Sequence, residues 1–141
     1  MDPAVVDSAP SRLTTEKDIK SIPAVSIVLP LADLFGQKGI YINPTQKGSQ
    51  WERAASMEII PGPDGAPAPF QANCGLRIQG RTGRDPELCP KHSFRLLFKE
   101  KYGPPKLKHP SLFPASTVTN FDALVLRGGF NNTWHFAGDE Q

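Results

Sequence analysis

Between Arg77 and His109 the chain carries nine basic residues: Arg77, Arg81, Arg84, Lys91, Arg95, Lys99, Lys101, Lys106 and Lys108. Only Asp85, Glu87 and Glu100 oppose them there, a local charge of +6 that leaves −4 for the remainder. Two stretches give these cations a direction. In Phe70 to Gln79, Cys74, Leu76 and Ile78 alternate with Arg77 and Gln79. In Lys91 to Phe98, Phe94, Leu96 and Phe98 alternate with Lys91, Ser93 and Arg95. Side chains of a strand point alternately to its two faces, so each stretch predicts one apolar and one basic face. Paired as a hairpin, the two would bring Arg77, Lys91 and Arg95 together beside a Gly-rich loop. Like charges facing each other across a sheet cost stability unless an anion or a carboxylate lies between them. Guanidinium and ammonium groups so placed suit a phosphate-bearing ligand.

The loop between the strands, Gly80-Arg81-Thr82-Gly83-Arg84, admits three readings. Its backbone N–H groups could cradle phosphate, it could clamp RNA as a KH-type module does, or it is a hairpin loop with solvated arginines. The KH reading needs flanking helices, whereas Leu76 to Gln79 reads as strand and Pro86 blocks an early helix. Lys91 and Arg95 could hold phosphates as a kinase strand lysine does; the plain alternative is a solvated sheet face. In Trp51-Glu52-Arg53 a structural ion pair of Glu52 with Arg53 under a packed Trp is favoured over catalysis. Arg127, Asn131 and Asn132 flank two glycines and could reach a ligand or simply form a turn. His92 falls on an apolar face and reads as a core histidine. Cys74 and Cys89 could pair as a disulfide or remain buried thiols. Neither a Walker-type phosphate loop nor a G-x-S-x-G elbow occurs, which removes P-loop enzymes and gives hydrolase triads little weight. Two Cys and three His, without metal-ligand spacing, do not make a zinc module.

The elements that must position these residues follow from composition and punctuation. A chain of 141 residues is the size of one domain. Pro and Gly together make 27 of the residues, and 38% are hydrophobic, which predicts short strands broken by turns, with little helix. The fold class expected is α+β, predominantly antiparallel β. Residues 1–21 hold seven charges and no apolar period and read as a disordered leader. Charged Asp2, Asp7, Arg12 and Glu16 stand where a signal peptide would be apolar. No apolar run approaches the roughly 20 residues of a membrane span. Strands are expected at 24–29, 39–43, 54–60, 70–79, 91–98 and 121–127, with one helical turn at 31–36 ended by Gly36. Pro61 to Pro67 reads as a turn, Tyr102 to Pro114 as a Pro-rich basic connection, and Thr133 to Gln141 as the start of a helix.

Several blocks then follow one another in order: Ile40-Tyr41-Ile42-Asn43, Trp51-Glu52-Arg53-Ala54-Ala55-Ser56-Met57-Glu58, Asn73-Cys74-Gly75-Leu76-Arg77-Ile78-Gln79-Gly80, Pro90-Lys91-His92-Ser93-Phe94-Arg95-Leu96, Lys101-Tyr102-Gly103 and Phe121 to Arg127. Over roughly residues 23–141 this series resembles the N-terminal part of the CotH kinase family, the spore-coat CotH-like proteins. The resemblance implies an atypical protein-kinase-like fold, ATP bound with a divalent metal such as Mg, and phosphorylation of protein serines. It divides the chain into the leader, 1–21, and an incomplete kinase-like domain, 22–141. It makes Lys91 and Arg95 the first phosphate-contacting candidates, with Arg77 and Arg81 next. Pro90-Lys91-His92-Ser93 stands where the family usually has P-K-[KR]-S, and Arg81-Thr82-Gly83-Arg84 replaces a Ser-rich stretch. The family's acidic catalytic and metal-binding residues would lie beyond Gln141, so the expectation is a nucleotide-side lobe inactive by itself. A bacterial surface, secreted or spore-coat location is implied as well.

Two other functions compete with this ATP-binding transferase fragment. One is a non-catalytic β-domain of a bacterial surface protein, serving adhesion or spacing. The other is nucleic-acid binding by the basic segment, which the scarcity of interleaved aromatic residues disfavours. A protein substrate and contacts to the remaining part of the kinase are the partners that the resemblance implies.

Overall fold

The structure, a computed structural model, describes residues 17, 18, 20–110 and 112–129. Most of the leader and all of the helix expected at 133–141 therefore lie outside the described residues, as do Asn131 and Asn132. The described part is mostly antiparallel β-sheet with little helix.

Five strands form the main sheet: β1 (Ala24–Val28), β2 (Arg53–Ile60), β3 (Phe70–Gln79), β4 (Ser93–Leu97) and β7 (Ala123–Leu126). Their order is β1-β2-β3-β4-β7, every pair antiparallel. A two-stranded ribbon, β5 (Leu107–Lys108) with β6 (Asn120–Phe121), lies between β4 and β7 in sequence. One short helix, α1 (Leu31–Phe35), follows β1, and single 3-10 turns sit at Ser49–Trp51 and Thr82–Arg84.

The register follows from period-2 burial. Ala55 faces Cys74 and Met57 faces Ala72, while Leu76 faces Leu96 and Ile78 faces Phe94. Registered residues share a face, so these side chains make one continuous apolar surface. A slip by one residue would turn all of them to the other side, which fixes the pairing. Leu76 and Leu96 are 1% and 0% exposed, each worth about 1.5–3 kcal/mol of burial. Ile40, Leu107, Leu34, Tyr41 and Phe121 pack on the same cluster from α1, the following turn and the β5–β6 ribbon. The core thus lies between one sheet face and an irregular cover.

Two expectations are corrected. Residues 39–43 form turns, not a strand: Ile40 and Tyr41 donate N–H bonds to Asp33 and Leu34 carbonyls of α1, at 2.9 Å each. The β-branched Ile40 is there as a plug, 1% exposed, because a single large apolar side chain closes the core where no neighbouring strand is available. The connection 102–114 contains a strand pair, since Leu107 meets Phe121 and the His109 N–H bonds the Thr119 carbonyl at 2.9 Å. Its Pro residues hid a segment too short to show an alternating pattern.

Elsewhere the punctuation holds. Gly65 turns the 61–67 segment with φ +74, a conformation that glycine adopts without a Cβ clash. Cys74 and Cys89 are both buried free thiols. Among the described residues no helix is long and apolar enough to cross a membrane.

Candidate functional site

The second face of the sheet carries the polar side chains. Arg77 on β3 pairs in register with Arg95 on β4, and Gln79 with Ser93. The hairpin therefore sets two of the four candidate cations side by side. Arg95 is exposed, and its side chain makes no ion pair or hydrogen bond among the described residues. Lys91 and Arg81 fall outside the strands, exposed and equally without partners among the described residues. Arg77 differs, because it is bound to an acid.

That acid is Glu52, immediately before β2. Its side chain is 0% exposed, an unusual place for a carboxylate unless charged groups compensate it. Arg77 donates from Nε to Oε2 at 2.6 Å, and a terminal nitrogen of the same guanidinium also bonds Oε2. Lys99 Nζ bridges both oxygens at 3.0 and 2.8 Å. Lys101 Nζ sits 3.0 Å from Oε1, and the Tyr102 hydroxyl donates to the same oxygen at 2.8 Å. All the lone-pair positions of the carboxylate are occupied. Burial by itself would raise the Glu52 pKa, but the bonds from Lys99, Lys101, Tyr102 and Arg77 outweigh it and hold the group at about 2. With three cations around one anion, the cluster keeps a net positive charge.

Local sequence explains the convergence. Residues 52 and 53 point to opposite faces, so Glu52 turns toward Arg77 and away from Arg53. The pair expected between Glu52 and Arg53 is thus not formed. Arg53 instead binds Asp33 at 3.3 Å, donates to the Lys38 and Gln50 carbonyls, and stacks on Trp51 at 5.6 Å. Gly75 makes room for the cluster: a Cβ there would overlap Tyr102 and come within 2.9 Å of Glu52 Cγ. Lys99, Lys101 and Tyr102 arrive on the turn after β4, where the Tyr102 and Gly103 N–H groups bond the Lys99 carbonyl. The sequence marks Glu52 as an ion-pair residue, but nothing local in it marks Lys99, Lys101 or Tyr102 as its partners. Glu52, Lys101 and Tyr102 fall within the ordered blocks, whereas Lys99 lies between two of them.

Arg84, one of the two arginines of the loop left open to three readings, is a structural clamp. Its guanidinium donates to the carbonyls of Gly80 (2.7 Å), Pro44 (3.1 Å), Gln46 (2.8 Å) and Ile78. That ties the 44–46 loop to the end of β3. His92 is buried, its Nδ1 3.1 Å from the Gly83 carbonyl and its ring 5.1 Å from Tyr41.

Two cavities adjoin the cluster. One, of about 610 Å³, is an open hollow between Val28–Pro30, the small residues Ala54 and Ser56, and Lys101 with Tyr102. The other, of about 150 Å³, lies under the 43–48 loop and is lined by both Arg77 and Arg84. Lys91, Arg95 and Arg81 line neither. Among the described residues no group of three or more His, Cys, Asp or Glu side chains could hold a metal ion. No family model, curated protein or solved structure gives a significant match to the chain.

Proposed function

We propose that this chain is the nucleotide-side lobe of a CotH-like, ATP-dependent protein serine kinase. The observation that carries the reading is the pairing of Arg77 with Arg95 on one sheet face. There a guanidinium already committed to Glu52 stands beside one left uncommitted. Phosphoryl transfer leans on positioned cations that meet the phosphates, and on a lysine–glutamate pair that holds them in place. In this lobe Arg95 and Lys91 would meet phosphate oxygens, with Arg81 at the rim. Glu52 would fix Arg77, Lys99 and Lys101 behind them. The ordered blocks from Ile40 to Arg127 support the same reading. Metal ligands and the residue that positions the substrate hydroxyl would come from the remainder of the kinase.

Calorimetric titration of Mg-ATP tests it, on the chain together with any coding sequence that follows Gln141. Arg95→Ala and Lys91→Ala should each weaken binding about tenfold or more, while circular dichroism stays unchanged. Equal affinity in wild type and both variants would remove these residues from the role.

One observation favours the alternative of a non-catalytic β-domain: Glu52 already satisfies three of the basic side chains from within the protein. Under that reading Mg-ATP shows no saturable binding at all.

A further inference from the structure

We propose that the cavity under the 43–48 loop binds a single small oxyanion of the phosphate or sulfate class, at a site that shares Arg77, but neither Lys91 nor Arg95, with the sheet face assigned to a nucleotide. Its volume of about 150 Å³ is a few times the roughly 30 Å³ that one water occupies in the liquid. It is well below the roughly 300 Å³ at which pockets begin to take drug-sized molecules. Arg77 and Arg84 both reach its wall, joined by Asn43, Lys47 and Trp51, and no acidic residue lines it.

The donor inventory leaves capacity for an anion. Arg77 gives Nε and one terminal nitrogen to Glu52, and its other terminal nitrogen, with two N–H donors, makes no such bond. Arg84 is fixed by four carbonyls. These orient its head but contribute only partial charges, so its unit of positive charge is not neutralised. Burial first, and the charge of Arg77 second, hold Arg84 below its ordinary pKa, a sign that two cations press on one another in a partly dry space. An oxyanion between them would turn that repulsion into attraction. Lys47 stands on the exposed loop, its ammonium without a partner among the described residues, where it could add a third positive charge.

This site goes beyond the kinase reading and survives its failure, since neither Lys91 nor Arg95 lines the cavity. The test is titration of inorganic phosphate into the full chain at low ionic strength, followed by calorimetry and by ³¹P NMR line width. Sodium chloride at matched ionic strength serves as the screening control. One phosphate should bind saturably, and Lys47→Glu should weaken it about tenfold. Lys91→Ala and Arg95→Ala should leave it unchanged. Lys47 uses only its backbone carbonyl in the fold, accepting from Gln50, so the variant should fold normally. Competition by O-phosphoserine for the same site would name a phosphorylated side chain as the source, and its failure would leave the free ion; both support the site. Absence of saturable phosphate binding overturns the proposal, and so does binding that ignores Lys47→Glu but is lost in Arg95→Ala.

Discussion

Replacing Glu52 by Gln keeps the shape of the side chain and removes the one anion that three cations share. The folded carboxyl titrates at about 2 against an ordinary 4.5. At about 1.4 kcal/mol per unit, that difference corresponds to roughly 3 kcal/mol of stability. Breaking a buried ion pair from one side costs a comparable 3–5 kcal/mol, because the partner charges stay behind without compensation. Both routes give about 3 kcal/mol, a large part of the 5–15 kcal/mol that holds an ordinary domain together. The sign of the pH dependence follows from the depressed pKa. The contribution is fully present above pH 4.5 and disappears as pH falls through 4.5 toward 2. Urea unfolding monitored by tryptophan fluorescence and far-UV circular dichroism reads the effect. Glu52→Gln should be about 3 kcal/mol less stable than wild type at pH 7, and the gap should shrink progressively below pH 4.5. A gap under 1 kcal/mol at pH 7, or one that stays constant down to pH 2, would refute the reasoning. Should the variant not fold at all, Tyr102→Phe removes a single donor from the same carboxylate and should cost about 1.5–3 kcal/mol.

Gly75→Ala should also destabilise the protein, by about 1–3 kcal/mol, because its Cβ would press on Tyr102 and on Glu52 Cγ and Cδ at 2.9 and 3.0 Å. Thermal unfolding checks this, and an unchanged melting temperature would mean that the ring and the carboxylate can move aside freely. The thiols should resist a disulfide reagent in the native protein, since both cysteines are buried and burial pushes Cys74 up to about 11. Labelling of both should follow the rate of unfolding, whereas a fast native phase would contradict their burial.

Much of the sheet could be read in advance, because burial of one face imposes a period of two that residue types record directly. Strand β3 matches the expected 70–79 span, and β2 begins one residue earlier than expected, at Arg53. The alternation that put Cys74, Leu76 and Ile78 opposite Arg77 is the observed one. Strands β4 and β7 are shorter than read, since Lys91, His92 and Phe98 lie beyond the paired ladder. Residues 39–43 misled for a different reason: β-branched side chains fit both a strand and an apolar plug, and only the cover over the core decides between them. The β5–β6 ribbon could not be read because its two-residue strands are shorter than any period.

For the site, the linear chain settled which residues carry charge and which face of its strand each one takes. The partners were decided elsewhere. Glu52 and Lys101 are 49 positions apart in the chain and meet only because β2, β3 and the turn after β4 lie side by side. Arg84 and Pro44 meet only because a loop folds back on the end of β3. Coulomb attraction and hydrogen bonding act through space over a few ångströms, so a sequence that specifies charges one position at a time leaves their pairing to the fold.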